Sequence, residues 1–246
     1  GREVQPVSLA SWDAWIKFYR ADENSRNTSV SYYTKGAVVG LLLDMRIRAA
    51  TGGAKSLDDV LRAAYARYAG ARGFMPNEFR ATAEAVAGEP LSGWFAHALD
   101  STAELDYAEA LDWLGLTFGE DPEQDEDGNE DGWIGVVTRE PGGRLLVAQV
   151  PRDTPAHAAG FNVDDEILAI GGHRVLPPEW NARIAQAGTG ARLDVLVARR
   201  GALRRIAVET APPPGRRWEL RPVEEPTDAQ TRNRKAWLSG GQEPAP

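Results

Sequence analysis

Between Ser31 and Thr51 the chain carries Val38, Val39, Leu41, Leu42, Leu43, Met45 and Ile47. On a helix these residues leave no polar face. Such a helix has to be enclosed by neighbours on most sides, so the chain must build a helical assembly around it. Gly52-Gly53 ends it with residues suited to a left-handed cap.

The surrounding sequence supplies the neighbours. Ser11 can cap a segment whose apolar Trp12, Trp15, Ile16 and Tyr19 recur at helical spacing. Ser56 followed by Asp59 forms a capping box with Asp in place of Glu. It opens a helix with Leu57, Val60, Leu61, Ala64, Tyr65 and Tyr68, closed by Gly70. Asn77 to Ala87 and Leu91 to Leu99 read as two more. About five helices thus occupy residues 1–110.

Beyond them the pattern changes. Eight carboxylates and no cation lie between Glu120 and Asp131, a self-repelling run that reads as a solvated loop. Short β patterns follow at 133–138, 145–150, 166–170, 193–199 and 203–209, divided by Gly142-Gly143, Gly171-Gly172 and Arg200-Gly201. A helix over about 178–187 interrupts them. The reading is α+β: a helical half-domain at 1–110, then a small β-sandwich or barrel with one or two helices at 111–211. A polar tail fills 212–246, with Trp218, Trp237 and Leu238 as docking anchors.

Several chemistries are excluded. Net charge is −8, from 28 Lys and Arg against 36 Asp and Glu, and without a basic face the chain is not expected to bind nucleic acid. There is no cysteine, hence no disulfide, thiol nucleophile or thiolate metal site. His97, His157 and His173 stand alone, without an H-E-x-x-H pair, and no metal is expected on this chain. Asp127-x-Asn129-x-Asp131-Gly132 starts like a calcium loop, but Thr138 stands where a bidentate Glu is needed. No G-x-S-x-G elbow or phosphate loop is present. The longest apolar run, Val38–Leu43, is broken by Gly40 and closed by Asp44, so no membrane span is expected. No cationic-then-apolar leader opens the sequence, so the expectation is a targeting signal that is lacking or removed.

Two segments are more specific. Ser31-Tyr32-Tyr33-Thr34-Lys35-Gly36 precedes the apolar helix with its Leu43-Asp44 and Ile47-Arg48 pairs. By itself it reads as a helix start with aromatic packing. Asp153-Thr154-Pro155-Ala156 through Gly160-Phe161, then Asp164-Asp165-Glu166-Ile167 to Gly171-Gly172, reads as a short helix feeding an apolar strand.

The second segment resembles a bacterial-type PDZ domain through Thr154-Pro155-Ala156, Ala159-Gly160-Phe161, Asp165-Glu166-Ile167, Ile170 and Gly172, with Asp164 standing where that family usually has Gly. The resemblance implies that a C-terminal peptide adds as a strand. Its carboxylate would be held by the main chain of Trp133, Ile134, Gly135 and Val136, with Trp180 and Ile184 lining the groove. The alternative is that Trp133 and Trp180 only fill the core.

The first segment resembles the glycyl aminopeptidase family of zinc metallopeptidases. The matching pieces are Gly1-Arg2, Val4-Gln5-Pro6, Ser11-Trp12-Asp13-Ala14-Trp15, Ser31 to Gly36, Leu43-Asp44, Ile47-Arg48 and Ser56 to Val60. That resemblance implies that Tyr33, beside Tyr32, is the tyrosine that donates to the oxyanion when the peptide carbonyl is attacked. It implies zinc in the parent enzyme, held by an H-E-x-x-H pair and a further Glu upstream of residue 1, with that upstream half as partner and a peptide as substrate. A periplasmic location fits the family, which has exported members, and the compartment is otherwise open. Without the zinc ligands, this chain alone is expected to be inactive. The alternative is a standalone peptide-binding module. A third possibility is that the PDZ domain only packs against the peptidase half.

Overall fold

The computed structural model describes residues 1–120, 131–214 and 218–240. Residues 121–130 of the acidic run, with Asp127 and Asn129 of the calcium-like loop, lie outside the described residues.

The apolar helix forms as α3 (Tyr32–Ala50), with the Ser31 hydroxyl accepting from the Thr34 N–H at 3.2 Å. Its circumference is divided between two cores. Val39, Leu42 and Met45 pack with Ala98, Leu105, Ala110 and Leu114. Leu43 and Ile47 pack with Val60, Ala83, Ala87, Leu91 and Phe95. Burying each such side chain contributes roughly 1.5–3 kcal/mol, which outweighs the lack of any polar face. The enclosing helices are α4 (Leu57–Tyr68), α5 (Pro76–Ala87), α6 (Ser92–Asp100) and α7 (Ala108–Leu114). They form with α3 one unit comprising residues 2–18, 29–119 and the C-terminal part from 218.

Asp44 ties two of these helices together. One carboxylate oxygen accepts from the Leu57 N–H, the first of α4, at 2.8 Å. The other accepts from Arg48 Nε at 2.9 Å, and the Ser56–Asp59 capping box forms as expected. The Leu43-Asp44, Ile47-Arg48 and Ser56–Val60 motifs are therefore a structural brace. Asp44→Ala is expected to destabilise this unit by about 2 kcal/mol, read as a lower urea midpoint. An unchanged midpoint would show that water replaces the carboxylate without loss.

The first helix differs from expectation. Instead of starting at Ser11, α1 runs Val7–Trp12, with Pro6 at the N-cap and Asp13 at the C-cap. Val7 and Ala10 are its buried residues and Ala14 is buried just beyond it, whereas Trp12 (87%), Trp15 (78%) and Ile16 (73%) are exposed. The physical cause is Asp13. Its buried carboxylate accepts from Gln5 Nε2 at 3.0 Å on each oxygen and pairs with Lys17 at 2.8 Å, closing the turn where the apolar spacing pointed to continuation. A single 3-10 turn at Phe18–Arg20 follows.

The tail also departs from a plain polar extension. Strand β1 (Leu116–Glu120) pairs with the last strand of the chain, Trp218–Pro222. The final helix, Asp228–Leu238, then caps the end of α7. Gln230 Nε2 donates to Asp112 O at 2.9 Å, Asn233 to Trp113 O at 3.2 Å and Arg234 to Gly115 O at 2.9 Å. Carbonyls at a helix C-terminus are short of intrahelical donors, and these side chains add to the bonds that Asp112 O takes from the Gly115 N–H and Gly115 O from the Val223 N–H. Trp237 docks on the core as expected, but Leu238 is exposed.

The second unit comprises residue 1, the stretch 19–28 and residues 120–217. In chain order it holds α2 (Ser25–Thr28), β2 (Val137–Arg139), β3 (Leu146–Gln149), α8 (Pro155–Ala159), β4 (Glu166–Ile170), β5 (His173–Arg174), α9 (Trp180–Gln186), β6 (Arg192–Arg199) and β7 (Ala202–Glu209), which makes the strand of Trp218–Pro222 β8 and the last helix α10. The sheet is antiparallel in the order β2-β3-β4-β6-β7, with β5 beside β4. It is open, not the closed barrel that was one expectation. An isolated antiparallel bridge joins Trp133 to Ala211. Thr138 pairs with Val147 on β3, so a strand follows the calcium-like loop, as expected. Ile134, Val147, Phe161, Ile167, Trp180, Ile184, Val195 and Val197 form its core. The two units thus do not follow the chain-order divisions at 110 and 211, because 19–28 packs with the sheet and the tail with the helices.

Asp164, the departure from Gly, takes φ +67°, which Asp tolerates better than most residues, and its carboxylate pairs with Arg139 at 2.6 Å. Among the described residues no helix is long and apolar enough to cross a membrane.

Candidate functional site

Tyr33 occupies the first turn of α3, placed there by the Ser31 cap. Its ring stacks on Tyr32 at 4.4 Å between centroids and lies 5.8 Å from Phe18, which meets Tyr32 edge-on at 5.3 Å. Pairs of this kind contribute about 0.5–1.5 kcal/mol each beyond burial and restrict the ring, while 59% of the residue stays exposed. A neutral phenol both donates and accepts a hydrogen bond. The residue is thus both exposed and restrained at its ring.

The second candidate lies in the sheet unit, at Trp133-Ile134-Gly135-Val136. Gly135 has φ +81°, and a Cβ there would come within 2.5 Å of Thr154 Cβ and Cγ2. Only glycine fits. The Ile134 carbonyl accepts from the Ala156 N–H at 2.8 Å, and Trp133 exchanges two main-chain bonds with Ala211. Among the described residues, no group accepts from the N–H of Ile134, Gly135 or Val136. Three successive free donors beside β2, an edge strand of the sheet, can hold a carboxylate and pair with an added strand.

The side chains named with this loop divide. Ile134, Trp180 and Ile184 are 3%, 2% and 5% exposed and belong to one core cluster. Val136 packs against that cluster, and Trp133 is half-buried beside Gly135. Trp180 and Ile184 thus support the loop from beneath, where their apolar bulk is most stable, and offer a ligand little surface. Gly132, whose added Cβ would meet Ile184 O at 2.5 Å, brings the loop against the end of α9.

Zinc does not fit the described residues, since no three His, Asp or Glu among them converge on one point.

Asn27 has no place among the residues expected from sequence. Its side-chain amide donates to Val150 O at 3.1 Å and accepts from the Arg152 N–H at 2.9 Å, as a neighbouring strand would. The signal was the Asp22-Glu23-Asn24-Ser25-Arg26-Asn27 run, rich in residues that bond main chain, but nothing local named its partners 123 and 125 residues away.

Residues 1–39 match the family model described as M61 glycyl aminopeptidase. Among solved structures, an aminopeptidase N family protein from Idiomarina loihiensis matches with a TM-score of 0.75 and 23% identity, over 97% of this chain and 41% of that one. The chain thus spans about two fifths of that protein's length. Shorter likenesses are to an HtrA-type protease, AlgW, with a decapeptide (TM-score 0.33, 25% identity, 35% of this chain and 30% of that one) and to a serine endoprotease from Yersinia pestis (TM-score 0.32, 25% identity, 37% and 33%). No curated protein matches. The resemblance to the glycyl aminopeptidase family thus holds over residues 1–39, and the fold is similar to that of about two fifths of the Idiomarina loihiensis protein.

Proposed function

We propose that this chain is the part of a zinc-dependent aminopeptidase, of the glycyl aminopeptidase type, that supplies the oxyanion-stabilising tyrosine and a PDZ-like peptide-binding unit. The observation that carries the proposal is Tyr33 itself, exposed yet ring-restrained in the first turn of α3 and inside the stretch that matches the family model. Its phenol O–H donates to the carbonyl oxygen of a bound peptide as that oxygen gains negative charge. A donor already held in place stabilises that charge without reorganising. Zinc, held by residues outside this chain, would supply Lewis acidity and an activated water.

The experiment is to isolate the native protein from its source with an antibody against this chain. A species much longer than these 246 residues, which releases N-terminal residues from peptides and loses that activity to a chelator, supports the proposal. A species of this length that binds peptides without cleaving them supports a second reading, a peptide-binding module. That reading draws on the N–H groups of Ile134, Gly135 and Val136 beside the β2 edge, which have no acceptor among the described residues.

Both readings expect the loop to read a carboxylate. Hydrogen bonds to a charged group contribute about 1.5–3 kcal/mol, so peptides with a free C-terminus should bind roughly 10- to 100-fold tighter than their amidated forms. Equal affinity by calorimetry would remove the loop from carboxylate recognition.

A further inference from the structure

We propose that the helical unit carries a binding site for an organic ammonium, a ligand with a positively charged nitrogen on a compact apolar body. The site is a hollow of about 280 Å³ lined by Leu42, Trp94, His97, Ala98, Leu105 and Asp106, room for far more than one water, which needs roughly 10–15 Å³. All six residues belong to the helical unit. Leu42 stands on α3 roughly 13 Å along the axis from Tyr33, and the inference does not rest on the catalytic reading of that tyrosine. Leu42, Ala98 and Leu105 are buried members of one core cluster, and Trp94 packs against it. They form an apolar floor already held by the fold, which an apolar group can cover without ordering new chain.

The polar residues of the hollow decide the charge of the ligand. His97 bonds Glu104 O at 2.9 Å through Nε2. A carbonyl only accepts, so Nε2 carries the proton, and in the neutral ring Nδ1 is left as an acceptor. Asp106 accepts from the Ala108 N–H at 2.9 Å with one oxygen, which leaves its other oxygen as a second acceptor. No cation among the described residues pairs with Asp106; Arg2 pairs with Glu104 instead, at 3.1 Å. Two acceptors, one of them a carboxylate, call for a donor with positive charge, and an indole face attracts a cation as well. They are too few for a metal ion, and among the described residues no three His, Asp or Glu converge. The hollow is also fixed in advance. Ser101 Oγ donates to His97 O at 2.7 Å and accepts from the Ala103 N–H at 3.2 Å, so the turn that carries Leu105 and Asp106 is tied to the end of α6.

Binding is read on the full chain by NMR of the tryptophan indole N–H groups, with isoamylamine titrated in and the Trp94 signal assigned through Trp94→Phe. The Trp94 signal is expected to shift saturably while that of Trp180, in the sheet unit, stays put. Isoamyl alcohol has the same apolar body without the charge and should bind roughly 10-fold more weakly or worse, the difference made by a hydrogen bond to a charged group. That comparison needs no variant. Asp106→Asn keeps an oxygen for the Ala108 N–H, so α7 keeps its start, and should weaken the amine by a similar factor while leaving the alcohol unchanged. Leu-Gly-Gly and its N-acetylated form separate the sources of the ligand. A peptide that binds as tightly as the amine, and fails once acetylated, places a peptide N-terminus in the hollow; an amine that binds where the peptide does not makes the ligand a small free amine. The absence of a saturable Trp94 shift, or equal affinity for amine and alcohol, overturns the inference. So does an Asp106→Asn variant that binds the amine as the parent does.

Discussion

Tyr33→Phe in the intact, metal-loaded protein is expected to lower kcat by about 10²-fold or more with little change in KM. The ring stays, so its contacts with Tyr32 and Phe18 survive and α3 keeps its start. Only the O–H is lost. Removing one preorganised oxyanion donor costs about 3 kcal/mol of transition-state stabilisation. That loss falls on kcat because the donor is strongest against an oxygen that carries charge only in the transition state. The same substitution at Tyr32 should change kcat far less, which separates loss of a phenol from disturbance of the pair. A Tyr33→Phe enzyme with wild-type kcat would remove Tyr33 from the chemistry. A raised KM with unchanged kcat would make it a substrate contact only.

The largest expected stability effect lies in the sheet unit, at Asp165 and Arg199. Asp165 is fully buried, while its partner's side chain is 23% exposed. The guanidinium grips it at both oxygens, 2.6 Å from Nε and 2.7 Å from the terminal nitrogen, and also donates to Gly160 O at 2.8 Å. The Asn162 N–H bonds the same carboxylate at 2.8 Å. The hydrogen bond to Asp165 holds the Arg199 pKa above its usual value. Arg199→Met leaves the buried carboxylate with one main-chain donor, and unpaired buried charges cost about 3–5 kcal/mol. The thermal midpoint of the sheet unit should fall accordingly. The double variant Asp165→Leu/Arg199→Met removes both charges and should recover much of the loss, because replacing a buried pair with apolar groups is often close to neutral. A single variant as stable as the parent would show that water reaches Asp165 and that the pair contributes little.

The mixed helical and β class, the two-sided burial of α3 and the starts of α3 and α4 were all legible in the residues. Each depends on short-range physics: an apolar circumference, a Ser hydroxyl at an N-cap, an Asp three residues on. The segment from Ser11 to Tyr19 has an apolar spacing just as regular, yet it does not form the helix that spacing describes. Asp13 is held by Gln5, a contact made only once the chain has turned back on itself. The site divides in the same way. The Gly135 loop was visible because glycine is the one residue its close approach permits. That Trp180 and Ile184 face the core instead of a ligand was not visible, since a buried and a groove-lining aromatic look alike in sequence.

By itself, the sequence determined what each stretch can be: which segments must be buried, where helices are capped, which turn needs glycine, and that Tyr33 lies at the start of the apolar helix. Tertiary structure alone decided which stretches lie together. It set Asn27 against Val150 and Arg152, Asp44 on the first N–H of α4, and the tail on the carbonyls that end α7. The reason is physical. Local propensities act over a turn or two of chain, whereas an unsatisfied N–H or carbonyl can be met by any residue that folding brings within about 3 Å, however far away it lies in sequence.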